Sequence, residues 1–150
     1  MTQPIRRLRE RGQALVESAL VLIPFIAIAI GIFDVGYALF LHQTIGSRAQ
    51  AAARWGAVNP YSAVLIQNKL LYGTTTPVPG QRPWLGLTGA NVNVQHLDAG
   101  TSEDRIVVTV SGYSFPFFSA TIVRAFFGGG QAISGSGPPI SVSIPYEFVP

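Results

Sequence analysis

Residues 11–33 read RGQALVESALVLIPFIAIAIGIF, and the reading of the whole chain follows from them. Arg6, Arg7, Arg9 and Arg11 lie before or at the start of this stretch, Gly12 follows, and Glu17 comes five residues later. From Ser18 to Phe33 the chain is uncharged and mostly apolar. A basic flank, a small residue and an apolar run together describe a membrane-targeting unit whose arginines stay on the cytoplasmic side. A carboxylate at the mouth of such a run is costly when isolated, so Glu17 calls for a function.

Residues 18–33 would rise about 24 Å as a helix, a little less than the ~30 Å hydrocarbon core of a bilayer. Residues 35–41 (VGYALFL) extend the run beyond Asp34, the one charge that interrupts it. The pattern predicts one continuous helix over residues 13–58, lipid-spanning in its N-terminal half. Pro24 should kink it or free a carbonyl, and membrane helices tolerate this better than soluble ones do. Asp34 is expected at the far interface or facing a partner subunit. Higher up, Ala49, Ala52, Ala53 and Gly56 recur at helical spacing. Such a small-residue stripe permits close backbone approach and is a candidate interface. Gln43, Arg48, Gln50 and Arg54 would face water or a partner.

Composition agrees with an anchored protein. Of 150 residues, 48% are apolar and only 11% charged, fewer charges than an ordinary soluble domain carries. The net charge of +3 comes mainly from residues 1–11, so there is no basic face for nucleic acid. The absence of cysteine removes disulfides, thiolate catalysis and cysteine-ligated metal together.

The remainder reads as a small α+β domain. Asn59-Pro60 stops the long helix and restarts a short one over residues 61–72, ended by Gly73. Residues 74–90 are a proline- and glycine-rich loop. Residues 91–97 alternate, with Val92, Val94 and His96 on one side, and residues 105–113 are β-branched. Joined by the turn DAGTSED, they should form an antiparallel hairpin. Residues 119–127 suit a short apolar helix, and residues 128–139 a flexible loop. Residues 140–149 give a third strand, in which Pro145 argues for an edge position or a bulge. The expected fold is α+β: a long N-terminal helix as spine, packed on a three-stranded antiparallel sheet. The expected division is a basic leader at 1–12, the helix at 13–58 and a small α+β domain at 59–150 on the far side of the membrane from the leader.

Gly12-Gln13-Ala14-Leu15-Val16-Glu17 resembles a type IV prepilin processing site, a glycine followed by a mature segment with glutamate at its fifth position. Together with GIFDVGYALFLHQTIGSRAQAAARWGAV, it resembles the TadE-like pseudopilins of the tight-adherence (Flp-type) pilus system, and the pilin-like fold expectation follows from that likeness. The resemblance covers residues 11–58. It returns weakly at Val107, Val108, Thr109, Val110 and Ser111 and at Phe115-Pro116. It implies an inner-membrane prepilin peptidase cutting between Gly12 and Gln13, with Gly12 required as the small residue. It further implies that Glu17 pairs with the new amino terminus of Gln13, on its own or a neighbouring subunit. The chain departs from the family at Ser18, where members often carry an aromatic residue, and at Gln13, where many type IV pilins have phenylalanine. The implied partners are membrane lipid, the prepilin peptidase, other pilins or pseudopilins and the assembly platform. The implied setting is the bacterial inner membrane, N-terminus cytoplasmic and C-terminal domain periplasmic. No cofactor, nucleic acid or small-molecule substrate is implied.

Alternatives stay open from the residues alone. Gly12 and Glu17 also suit an ordinary uncleaved single-pass anchor presenting a binding module, and Ala27-Ile28-Ala29 has the small-x-small form of a secretory cleavage site. For an enzyme there is no Gly-x-Ser-x-Gly elbow, and the glycine run at Gly128 lacks a P-loop lysine. Glu103 and Asp104 read as acids of an exposed turn. His42 and His96 read as mateless, one on a helix surface and one partly buried in a strand. Trp55, Trp84, Phe115, Phe117, Phe118, Phe126 and Phe127 read as core or interface. The phenylalanines exceed what so small a sheet can hide, so some should touch a membrane surface or another subunit.

Overall fold

The structure, a computed structural model, describes residues 4–128 and 134–148; residues 4–12, 126 and 127 are described by their backbone alone. Residues 1–3 and 129–133, and Val149 of the expected last strand, lie outside the described residues, as do the side chains of Arg6, Arg7, Arg9 and Arg11.

The architecture is α+β, with one long apolar N-terminal helix and a small three-stranded antiparallel sheet. Helix α1 runs from Pro4 to Ala57, unbroken at Pro24. It starts well before the expected Gln13. Proline, lacking an N–H, suits a first helical position, and the arginines, leucine and glutamate that follow are good helix formers. The chain divides into two compact units, Met1–Tyr37 with Phe117–Ala132, and Ala38–Pro116 with Ile133–Pro150. The division falls within α1.

In the second unit, α2 spans Ala63–Tyr72. Its N-cap is Ser62, whose side chain accepts from Leu65 N–H, rather than the expected Asn59. Asn59 instead donates its amide to the Trp55 carbonyl at 2.8 Å, closing the end of α1. Gly73, at φ 76°, ends α2 in the left-handed conformation as its position implied.

Strands β1 (Val92–Leu97) and β2 (Arg105–Val110) form the expected hairpin, and β5 (Ile140–Pro145) pairs on the other side of β2. Pro145 accordingly ends an edge strand. The register aligns Val92, Val110 and Ile140 across the sheet, then Val94, Val108 and Val142, then His96, Ile106 and Ile144. This is the face that meets the core. Two short strands, β3 (Ser114–Pro116) and β4 (Ser134–Ser136), pair antiparallel, the second within what sequence read as loop.

Against the sheet lie Ile45, Ala49, Ala52 and Ala53 of α1 and Ile66, Leu70 and Leu71 of α2. Ile45, Ile66, Leu70, Ile106, Val108 and Val110 are fully buried, each contributing about 1.5–3 kcal/mol of hydrophobic stabilisation. The alanine stripe expected to serve as an interface is therefore taken. Ala49, Ala52 and Ala53 have no exposed surface, and a Cβ on Gly56 would approach Ile66 Cδ1 to 2.6 Å. Small side chains here let this chain's own sheet and α2 approach α1. Of the polar residues on this part of α1, Gln43, Gln50 and Arg54 are exposed. Arg48 is half-buried, its guanidinium 4.0 Å from the Trp84 ring centre and donating to the Leu70 carbonyl at 3.2 Å.

Candidate functional site

The first unit holds the segment that sequence singled out. Its α1 residues carry long apolar side chains on every side of the helix. Leu15, Leu20, Ile23, Phe25, Ile28 and Ile32 are each more than 60% exposed. A helix apolar all round and largely uncovered among the described residues is matched to lipid rather than to water. Among the described residues it is the one helix long and apolar enough to cross a membrane.

Among the described side chains this segment has two carboxylates, and their surroundings differ. Glu17 is exposed and shares a face with Ala14, Ser18, Val21, Leu22 and Phe25. Among the described residues it has no hydrogen-bond or ion-pair partner. Asp34 is only 6% exposed. Its Oδ1 accepts the Phe118 backbone N–H at 2.6 Å and its Oδ2 the Ser119 N–H at 3.1 Å. These amides open α3 (Phe118–Phe127), whose own N-cap residue, Phe117, makes no side-chain cap bond. Asp34 thus supplies from a distant helix the acceptor that a serine or aspartate at the N-cap would normally supply. A negative charge at a helix N-terminus is also favoured by the peptide dipoles. The Phe33 and Phe118 rings meet beside it, 5.3 Å between centres. Sequence placed Asp34 at an interface without identifying this partner; the signal would have been an apolar helix starting at Phe118 with no capping residue of its own.

The histidines, expected without mates, both have them. His96 Nε2 donates to Asp104 Oδ1 at 2.6 Å, because the β1–β2 turn curls Asp104 back over the end of the hairpin. Tyr61 and Tyr146 stand on the His96 ring, each 4.7 Å away between centres. Asp104 Oδ2 also accepts Gly100 N–H at 2.8 Å. That bond, with the smaller help of His96, holds the Asp104 carboxyl below the usual carboxylate range against an opposing effect of burial. His42 Nδ1 lies 2.6 Å from the Tyr113 hydroxyl, which donates to the Pro138 carbonyl at 3.1 Å. Burial pushes the Tyr113 phenol up, so it remains a donor. Glu103 is exposed. Among the described residues no group of three or more His, Cys, Asp or Glu could hold a metal ion. These contacts tie loops and helix ends to the sheet.

By length and composition α1 suits a single-pass membrane anchor. The family described as TadE-like protein matches residues 12–54, most of α1. That segment of the chain is TadE-like. No curated protein and no solved structure matches the chain.

Proposed function

We propose that the protein is a minor pilin or pseudopilin of a tight-adherence pilus, held in the inner membrane by α1 and trimmed by a prepilin peptidase between Gly12 and Gln13. The observation that carries this reading is Glu17: an exposed acid without a described partner, at the mouth of an apolar helix, inside the TadE-like match. A carboxylate in lipid is costly alone and far less so beside a cation. Cleavage before Gln13 makes a free ammonium four residues from Glu17, about one helical turn away on the same face. The pairing works within one subunit or between neighbours, and the second arrangement orders helices side by side. The arginines at 6, 7, 9 and 11 hold the leader in the cytoplasm, and residues 38–116 stand outside.

A second reading, an uncleaved anchor presenting a periplasmic binding module, is favoured by one observation. The Gly12–Gln13 bond lies within helix, so it must unwind before a peptidase can reach it. Intact-mass measurement of protein extracted from membranes decides between them. The pilin reading expects a chain beginning at Gln13 in cells with the peptidase, and full-length protein when Gly12 is replaced by a bulky residue. A full-length chain in peptidase-bearing cells refutes processing.

A further inference from the structure

Helix α3 reads FSATIVRAFF, apolar except at Ser119, Thr121 and Arg124. Ser119 is spent at the capped end. Thr121 and Arg124 fall one turn apart, so the polar part is a narrow stripe and the rest of the circumference is apolar. Much of that surface is uncovered: Phe118 is 48% exposed, Val123 55%, and Ala125 is exposed too. The cap on Asp34 fixes where this helix starts. Asp34 lies 17 positions beyond Glu17 in α1, about 25 Å along the axis at ~1.5 Å per residue. With Glu17 at one edge of a hydrocarbon core of ~30 Å, Asp34 falls within about a turn of the other edge. The exposed α1 side chains at that level, Ile32, Phe33 and Val35, run on to Phe118 through the Phe33–Phe118 ring contact.

We infer that α3 is a second membrane contact, a short helix seated in the outer lipid interface. Its side bearing Phe118, Ile122 and Val123 enters the acyl chains, and Thr121 and Arg124, on the opposite side, face the headgroups, Arg124 toward their phosphates. Asp34 does two things at once: it loses its isolation in an apolar setting, and it sets the depth of α3. The inference rests on the reading of α1 as a lipid-spanning helix, and its test separates the two.

The chain has no cysteine, so single nitroxide labels can be placed without background. Full-length Ile28→Cys, Thr121→Cys, Val123→Cys and Ser102→Cys proteins are labelled and reconstituted at high lipid-to-protein ratio in phosphatidylethanolamine–phosphatidylglycerol vesicles. Collision with oxygen is then compared with collision with a water-soluble nickel chelate. The expected result is a lipid signature at Ile28 and a shallower one at Val123, about 5–10 Å into the boundary region. Thr121 should read closer to water than Val123, and Ser102 fully aqueous. A lipid signature at Ile28 with an aqueous one at Val123 overturns the role of α3 and leaves the anchor standing. An aqueous signature at Ile28 overturns both. Spin–spin broadening between Val123 labels would assign the surface to a second copy of the chain and also overturn the inference.

Discussion

Asp34 and Phe118 are 84 residues apart, yet the Asp34 carboxylate accepts the Phe118 backbone N–H at 2.6 Å and caps the helix that begins there. One interaction accounts for the charge inside an apolar helix and for the start of α3 without an N-cap of its own. Asp34→Ala should therefore release α3. We expect faster backbone hydrogen exchange over residues 118–124 in detergent-solubilised protein, with exchange of β1 and β2 unchanged. Asp34→Asn should retain part of the protection, because asparagine also caps. Unchanged exchange in Asp34→Ala would show that the bond does not hold the helix.

The buried alanines give a prediction that separates core from interface. Ala52→Leu forces new methyl groups into space filled by this chain's own sheet and α2, at a cost of about 1–3 kcal/mol or more. The unfolding midpoint in urea should fall. A variant of unchanged stability with altered association would return the stripe to the role of a subunit interface.

Gly137 is required by close approach. A Cβ there would collide with the hydroxyl end of the Tyr113 ring, at Cζ, Cε2 and Oη, and that ring is pinned by His42 and the Pro138 carbonyl. Gly137→Ala should destabilise the unit by about 1–3 kcal/mol, read from thermal or urea unfolding. Gly137→Ala combined with Tyr113→Ala should show less than the sum of the two single losses, since the clash disappears with the ring.

The lowered pKa of Asp104 has a signed consequence. A carboxylate with a depressed folded-state pKa contributes stability above its ordinary value of about 4, and the contribution is lost as pH falls through the folded-state value. Asp104→Asn should lower stability at pH 7 and flatten its decline in acid. Urea midpoints at pH 7 and pH 3 for both proteins check this; an equal acid loss in the two would remove Asp104 from the account.

Much of the fold was legible because its signals are local. The apolar run after Glu17, the alternation of residues 91–97, the turn DAGTSED and the proline of the last strand each speak for their own neighbourhood, and the structure follows them. What stayed hidden depends on partners far away in the chain. A small-residue stripe says that something comes close, and only the tertiary structure says that it is Ile66 and Ile106. The His96–Asp104 bond needed the hairpin turn to curl back, and the β3–β4 pairing joins segments too short and too polar to announce themselves. The cap by Asp34 was hidden for the same reason. Glu17 is the opposite case: its meaning came from the sequence pattern around it, and it has no described partner to add.

In the proposed function, residues 13–37 lie in lipid and the sheet-bearing unit stands in water outside. Impermeant maleimide applied to intact spheroplasts tests this directly, using Ile28→Cys and Ser102→Cys in the otherwise cysteine-free chain. Ser102→Cys should label at once, and Ile28→Cys only after detergent opens the bilayer. Labelling at Ile28→Cys in intact spheroplasts, or none at Ser102→Cys until lysis, would contradict it.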